Sequence, residues 1–161
     1  AAARWDEIDF EGQTWTISAE KMKMRREHVI PLTKQTLTML EAIRPISGHR
    51  DYIFPAERNP KTHCNVQTAN AALKRMGFKN RTTAHGLRSL ASTTLDEHGF
   101  DADVIETALA HIDKNQVRSA YNRTDYLERR KVMMSWWSEF IINASMGNHS
   151  LAINRQILRV V

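Results

Sequence analysis

The spacing of hydrophobic and polar positions changes character along the chain, and each change predicts an element. Trp5, Ile8 and Phe10 within residues 4–10, and Trp15 and Ile17 within residues 14–18, stand among polar neighbours in the manner of half-buried strands. Gly12 allows a turn between them, and residues 28–31 supply a third short strand, so the opening predicts a small antiparallel sheet. From Thr33, a helix-capping residue type, the period lengthens: Leu37, Leu40 and Ala42 or Ile43 line the apolar side of a helix reaching about Ile43. Pro45, Gly48, Pro55 and Pro60 then predict a long irregular connection, interrupted by the apolar Tyr52, Ile53 and Phe54.

Helical spacing resumes with Asn65 as a cap and runs to about Met76, before Gly77. A further helix containing His85 ends at Gly99, a residue suited to a C-cap, and Asp101 can cap a short helix over 102–109. There Val104, Ile105, Ala108 and Leu109 face a core, and the helix ends at His111. A polar turn over 113–116 leads into a third short helical piece ending at Tyr121, and two short helices with a turn can return His111 and Tyr121 to the first helix. Residues 126–143 form a long helix with Leu127, Met134, Trp137, Phe140 and Ile141 at core spacings. Its tryptophans recur at helix period beside other apolar groups, which reads as core and not as a base-stacking platform. The fold class is therefore mainly α with a small antiparallel β-sheet (α+β).

Within 84–121 one pair of residues carries chemistry. His85 and Arg88 are three apart, so on a helix they share a face. Both fall in the predicted first turn, where unpaired backbone N–H groups and the positive end of the dipole suit an anion. The guanidinium adds two-pronged contacts to phosphate oxygens that a lysine cannot make. Alone, either histidine reads as a structural side chain; His28, His49, His63, His98 and His149 are read as structural or surface.

Composition narrows the setting. The 161 residues suffice for one ordinary core, and 42% hydrophobic with 25% charged residues is the balance of a soluble globular protein. No apolar run approaches membrane length and no signal peptide opens the chain, so no membrane partner is expected. Cys64 is the sole cysteine, which excludes an internal disulfide and agrees with a reducing, cytoplasmic compartment. It stands next to His63, not at metal-ligand spacing, so no metal is expected.

The formal charge of +5 is unevenly spread. Lys21, Lys23, Arg25 and Arg26 form one basic cluster; Lys74, Arg75, Lys79, Arg81 and Arg88 a second; Arg118, Arg123, Arg129, Arg130 and Lys131 a third. Asp96, Glu97, Asp101, Asp103 and Glu106 gather between them. Such segregation fits a polyanion-binding face, although ordinary solvated helix faces also carry charge runs.

The ordered set H-x-x-R, L-A-H, A-Y ten residues on, and D-Y-L-E-R-R-K-x-M-M-x-W-W resembles the tyrosine recombinases, and among them the prophage-type integrases, over residues 1–141. The resemblance implies their DNA breaking-rejoining catalytic core over residues 1–145, with 146–161 as a C-terminal tail that in the family docks on a neighbouring protomer. It implies strand cleavage and rejoining through a 3′-phosphotyrosyl intermediate, integrating or excising a prophage or genomic island, without metal, ATP or other cofactor. The implied partner is a double-stranded DNA attachment site in the bacterial nucleoid, with protomer contacts in a tetrameric synapse.

By this resemblance Tyr121 is the nucleophile, and Arg88, His85 and His111 surround the phosphate. Lys23, eight residues before Pro31 in K-M-R-R-E-H-V-I-P, protonates the leaving 5′-oxygen. Lys21 is the rival acid and Tyr126 the rival nucleophile. Lys21, Arg25, Arg26, Lys74, Arg75, Lys79, Arg81 and Arg118 are the expected DNA contacts. The family keeps a first catalytic arginine just upstream of the W-x-x-I-D strand, here residues 5–9, so the 161 residues alone are expected to bind DNA weakly without recombining it. Two other readings compete. A non-enzymatic module, such as a helix-turn-helix regulator or excision factor, would bind DNA without a covalent adduct; a type IB topoisomerase would share the chemistry but relax supercoils without synapsis.

Overall fold

The computed structural model describes residues 1–22, 25–110 and 126–148. The protein is mainly α with a small antiparallel sheet, as its spacing predicts, and separates into two compact units, Ala1–Arg88 and Ser89–Val161.

In the first unit, β1 (Ile8–Asp9), β2 (Thr14–Ile17) and β3 (His28–Pro31) pair in sequence order, with Trp15 opposite both Ile8 and Ile30. The predicted first strand is shorter than its apolar pattern. Trp5–Glu7 forms a single 3-10 turn because its donors have side-chain and long-range partners: the Arg4 N–H donates to Glu7 Oε2 at 3.0 Å, and the Trp5 N–H to the Asp51 carbonyl at 3.0 Å. Gly12 serves the β1–β2 turn by close approach. Its N–H donates to Asp9 Oδ1 at 2.8 Å, and a Cβ there would collide with the same carboxylate.

Helix α1 (Lys34–Ser47) starts at Thr33, whose Oγ1 accepts from the Thr36 N–H at 3.3 Å. It passes through Pro45 rather than ending near Ile43. Proline disfavours a helix by removing one N–H and crowding a carbonyl, but tertiary bonds hold this last turn. The buried Ser47 donates from Oγ to the Ile53 carbonyl at 2.8 Å, and its own carbonyl accepts the Trp5 indole N–H at 2.9 Å. The connection that follows is pinned at Ile53, 2% exposed, and paired back on itself through Cys64 N–H to Phe54 O and Ala56 N–H to Thr62 O.

Asn65 closes a turn with its Oδ1 on the Gln67 N–H at 2.8 Å, so α2 (Thr68–Leu73) begins three residues after it. A wide π-type turn, Lys74–Phe78, ends the helix where Gly77 takes φ +90°.

Helix α3 (Ala84–Glu97) closes as glycine at 99 predicts: Gly99 adopts φ +80° and the Phe100 N–H reaches the Leu95 carbonyl at 3.1 Å. In the second unit, Asp101 caps α4 (Ala102–Ala108) through Oδ1 on the Asp103 N–H at 2.8 Å. Leu95, Val104, Ile105 and Met133 form the buried core, the last from α5 (Leu127–Ser145). Full burial of such side chains stabilises by about 1.5–3 kcal/mol each. Trp136 and Trp137 pack against this cluster, and Trp136 also meets His98 and Phe100 at ring-centroid distances of 4.7 and 5.2 Å. The core reading of the tryptophans is thereby met, whereas Ile141, expected inside, is 48% exposed and Met133 takes the central place at 0%. No helix among the described residues is long and apolar enough to cross a membrane.

Candidate functional site

Helix α3 carries His85 and Arg88, and the chain anchors its start from two sides. Thr83 caps it, with Oγ1 accepting the Gly86 N–H at 3.0 Å. Asn70 on α2 accepts the Ala84 N–H at 2.9 Å through Oδ1, while its Nδ2 donates to Gln67 Oε1 at 3.0 Å. Two donors expected to be unpaired, the Ala84 and Gly86 N–H groups, are therefore already bonded, so the expectation of an anion at this terminus loses part of its basis in free N–H groups. Arg88, the fifth residue of a helix that begins at Ala84, sits just past the first turn in which the sequence places it. The three-residue spacing still places both side chains on one face. His85 is exposed and Arg88 half-buried.

Neither Asn70 nor Thr83 enters the sequence-derived set. A threonine just before A-H-G is a recognisable cap signal. The Asn70 bond joins residues fourteen apart and has no local signature.

A second group of residues leads into the β2–β3 connection. Lys21 closes a 3-10 turn, Ala19–Lys21, and its ammonium is bound to Glu7 Oε1. Glu7 Oε2 also accepts the Trp15 indole N–H at 3.1 Å. Burial acts to raise the Glu7 carboxyl, but the bonds from Lys21, the Arg4 N–H and Trp15 together outweigh it and hold the group below its usual range. Arg4 is bonded to Asp6 at 3.1 Å and lies over the Tyr52 ring, a structural engagement. Arg25, at φ +53°, donates its N–H to the Met22 carbonyl at 3.0 Å, and its side chain is exposed like that of Arg26.

The second basic cluster follows α2: Lys74, Arg75, Lys79 and Arg81 are all exposed, with the Arg81 guanidinium 5.4 Å from the centre of the Phe78 ring. The third departs from a continuous exposed strip. Arg130 is 1% exposed, Arg129 pairs with Asp101 at 3.0 Å, and Lys131 pairs with Glu128 at 2.8 Å. Arg129 and the Asp103 N–H hold the Asp101 carboxyl below its usual range. Tyr126, the rival nucleophile, adopts φ +50° at the head of α5, packs against the core and lies under the Arg129 guanidinium at 5.5 Å. Lys23, His111, Arg118 and Tyr121 lie outside the described residues, as does the tail from 149 onward.

A mainly helical protein with a three-stranded sheet and an H-x-x-R helix agrees with what the sequence comparison shows: the sequence model of the phage integrase family matches residues 1–128, and the chain belongs to that family. It is 54% identical over 148 residues to the prophage integrase IntA of Escherichia coli K12, with 92% of this chain and 36% of that protein covered. The integrase of Enterobacteria phage P4 is 36% identical, covering 86% of this chain and 35% of the phage protein. The integrase of Shigella phage Sf6 is 32% identical, with 86% and 36% covered. The chain thus spans about a third of the length of these relatives. No solved structure matches it.

Proposed function

We propose that this chain is the catalytic part of a site-specific DNA recombinase that cuts and rejoins strands through a 3′-phosphotyrosyl intermediate, integrating or excising a prophage. The observation that supports this most is the pair His85 and Arg88 on one face at the anchored start of α3, in a chain of the phage integrase family.

Tyr121 attacks the scissile phosphorus; its phenolic oxygen forms the new P–O bond, and the bond to the 5′-oxygen breaks. A free phenol, with a pKa of about 10, is mostly protonated at neutral pH, so it needs cationic neighbours or a base at the moment of attack. Arg88 grips two non-bridging oxygens as charge gathers on them, and His85 and His111 complete the ring of donors. Lys23 gives its proton to the leaving 5′-oxygen. The engagement of Lys21 by Glu7 favours Lys23 over Lys21 for that task, and the packing of Tyr126 against the core favours Tyr121 as nucleophile. Charge neutralisation by these side chains covers what a divalent ion does in other phosphoryl-transfer sites, and the tyrosyl ester conserves the strand energy without ATP.

Attachment-site DNA is the substrate, with Arg25, Arg26, Lys74, Arg75, Lys79, Arg81 and Arg118 gripping its backbone and protomers meeting on it in a synapse. The test is a nicked DNA on which cleavage releases a short strand and strands the protein covalently. An intact integrase carrying this chain should accumulate a denaturation-resistant adduct, and Arg88→Ala should form it far more slowly. DNA binding with no adduct would favour the non-enzymatic module instead.

A further inference from the structure

The turn that joins α2 to α3 carries two apolar side chains that no packing accounts for. Met76 is 69% exposed and Phe78 36% exposed, on either side of Gly77. Glycine serves this turn by its φ of +90° and not by close packing, since a Cβ there would meet no atom within 4 Å. Asn80 is also left-handed, at φ +62°. A sharp exposed turn ordinarily carries polar side chains.

Four exposed cations, Lys74, Arg75, Lys79 and Arg81, frame the pair, and among the described residues no carboxylate is bonded to any of them. The Arg81 guanidinium lies 5.4 Å from the centre of the Phe78 ring, which holds a planar cation against the apolar surface. Single exposed apolar residues are common. Two within three residues, inside a set of unpaired cations, form a mixed surface suited to a partner that is anionic and also offers apolar groups. Duplex DNA is such a partner: its backbone takes the cations, and the thymine methyl is the apolar group displayed in its major groove. The minor groove displays no methyl, and a phosphate gains nothing from a thioether or a phenyl ring.

The turn is also fixed in place. The Arg81 and Thr82 N–H groups both donate to the Phe78 carbonyl, at 3.0 and 3.3 Å, and Asn70 of α2 holds the Ala84 N–H at 2.9 Å. A contact made by Phe78 is thereby tied to the start of the helix that bears His85 and Arg88.

We infer that Met76 and Phe78 discriminate sequence: drawn onto duplex DNA by the surrounding cations, they seat against thymine methyl groups in the major groove. This rests on the reading of the chain as part of a DNA recombinase. The flexible thioether of Met76 adapts to the groove, while Phe78 is oriented by its stacked arginine.

The test removes the methyl and nothing else. An intact integrase carrying this chain enriches a duplex from a randomised pool, and its affinity for that duplex is compared with the same duplex bearing deoxyuridine at every thymidine. Pairing edges and phosphate charge are unchanged. Wild type should bind the uracil duplex about fourfold more weakly for each methyl contacted, the factor that burial of one such group gives. Met76→Ser and Phe78→Ala should each bind the thymine duplex more weakly and show a smaller thymine-to-uracil ratio than wild type, with the salt slope kept because the phosphate contacts remain. Met76 is exposed enough that its variant carries the test even if Phe78→Ala folds poorly. A wild-type ratio of one, or variants that weaken both duplexes alike or neither, would overturn the inference and leave the DNA-acting reading intact. If the wild type retains no duplex from the pool, that reading falls, and this inference with it.

Discussion

At the scale of single residues, the proposed chemistry depends on groups that place charge. Arg88 offers a planar fork, so Arg88→Lys should keep the charge, lose the two-pronged grip and cleave far more slowly than wild type. Arg88→Ala should lose about 10²- to 10³-fold in single-turnover rate, by analogy with removal of one oxyanion donor. Thr83 and Asn70 support that arginine. Thr83→Ala should cost about 0.5–2 kcal/mol in denaturant unfolding as a lost helix cap. Glu7 offers a pH test. Its carboxyl lies below the usual range when folded, so its contribution is fully present above the unfolded value of about 4.3 and is lost as pH falls through the folded one. The difference in melting temperature between wild type and Glu7→Gln should therefore be largest near neutrality and vanish in acid.

Elements show how far local pattern reaches. The third strand, the Thr33 cap, the Gly99 helix end and the Asp101 cap are all legible because each is set by residues within a few positions of one another. Trp5 in a 3-10 turn, Pro45 within α1 and the Asn70 bond to α3 are not. Each depends on a partner far along the chain: Asp51 for the Trp5 N–H, Ile53 and Trp5 for Ser47, and α2 for Ala84. The same limit hid the burial of Arg130, since a basic run on α5 reads as a solvated or DNA-facing strip until packing decides its direction. Met133 is the element-scale test. It is fully buried among Leu95, Val104 and Ile105, so Met133→Ala should cost about 2–5 kcal/mol by denaturant unfolding, while Ile141→Ala, on the exposed side of the same helix, should cost far less. Asp101 joins α4 to α5 by capping one and pairing with Arg129 on the other, so Asp101→Asn should weaken the second unit above about pH 4 and lose its effect in acid.

For the molecule as a whole, family membership is the part most readable from sequence, because a motif with its spacings survives where three-dimensional neighbours cannot be inferred. Family membership confirms the kind of protein, while the roles of Lys23, His85, Arg88, His111 and Tyr121 are assignments for experiment to carry. Binding to duplex DNA should be driven by exposed cations, so its logarithm should fall linearly with the logarithm of salt concentration. Neutralising Lys74, Arg75, Lys79 and Arg81 together should reduce that slope by up to about 0.9 for each phosphate that is no longer neutralised. The most direct measurement is to trap an intact integrase carrying this chain on nicked attachment-site DNA, digest the adduct and sequence the peptide bearing the nucleotide. The nucleotide is expected on Tyr121, with no adduct from Tyr121→Phe; a nucleotide on Tyr126, or an adduct that persists in Tyr121→Phe, would contradict the assignment of Tyr121 as nucleophile.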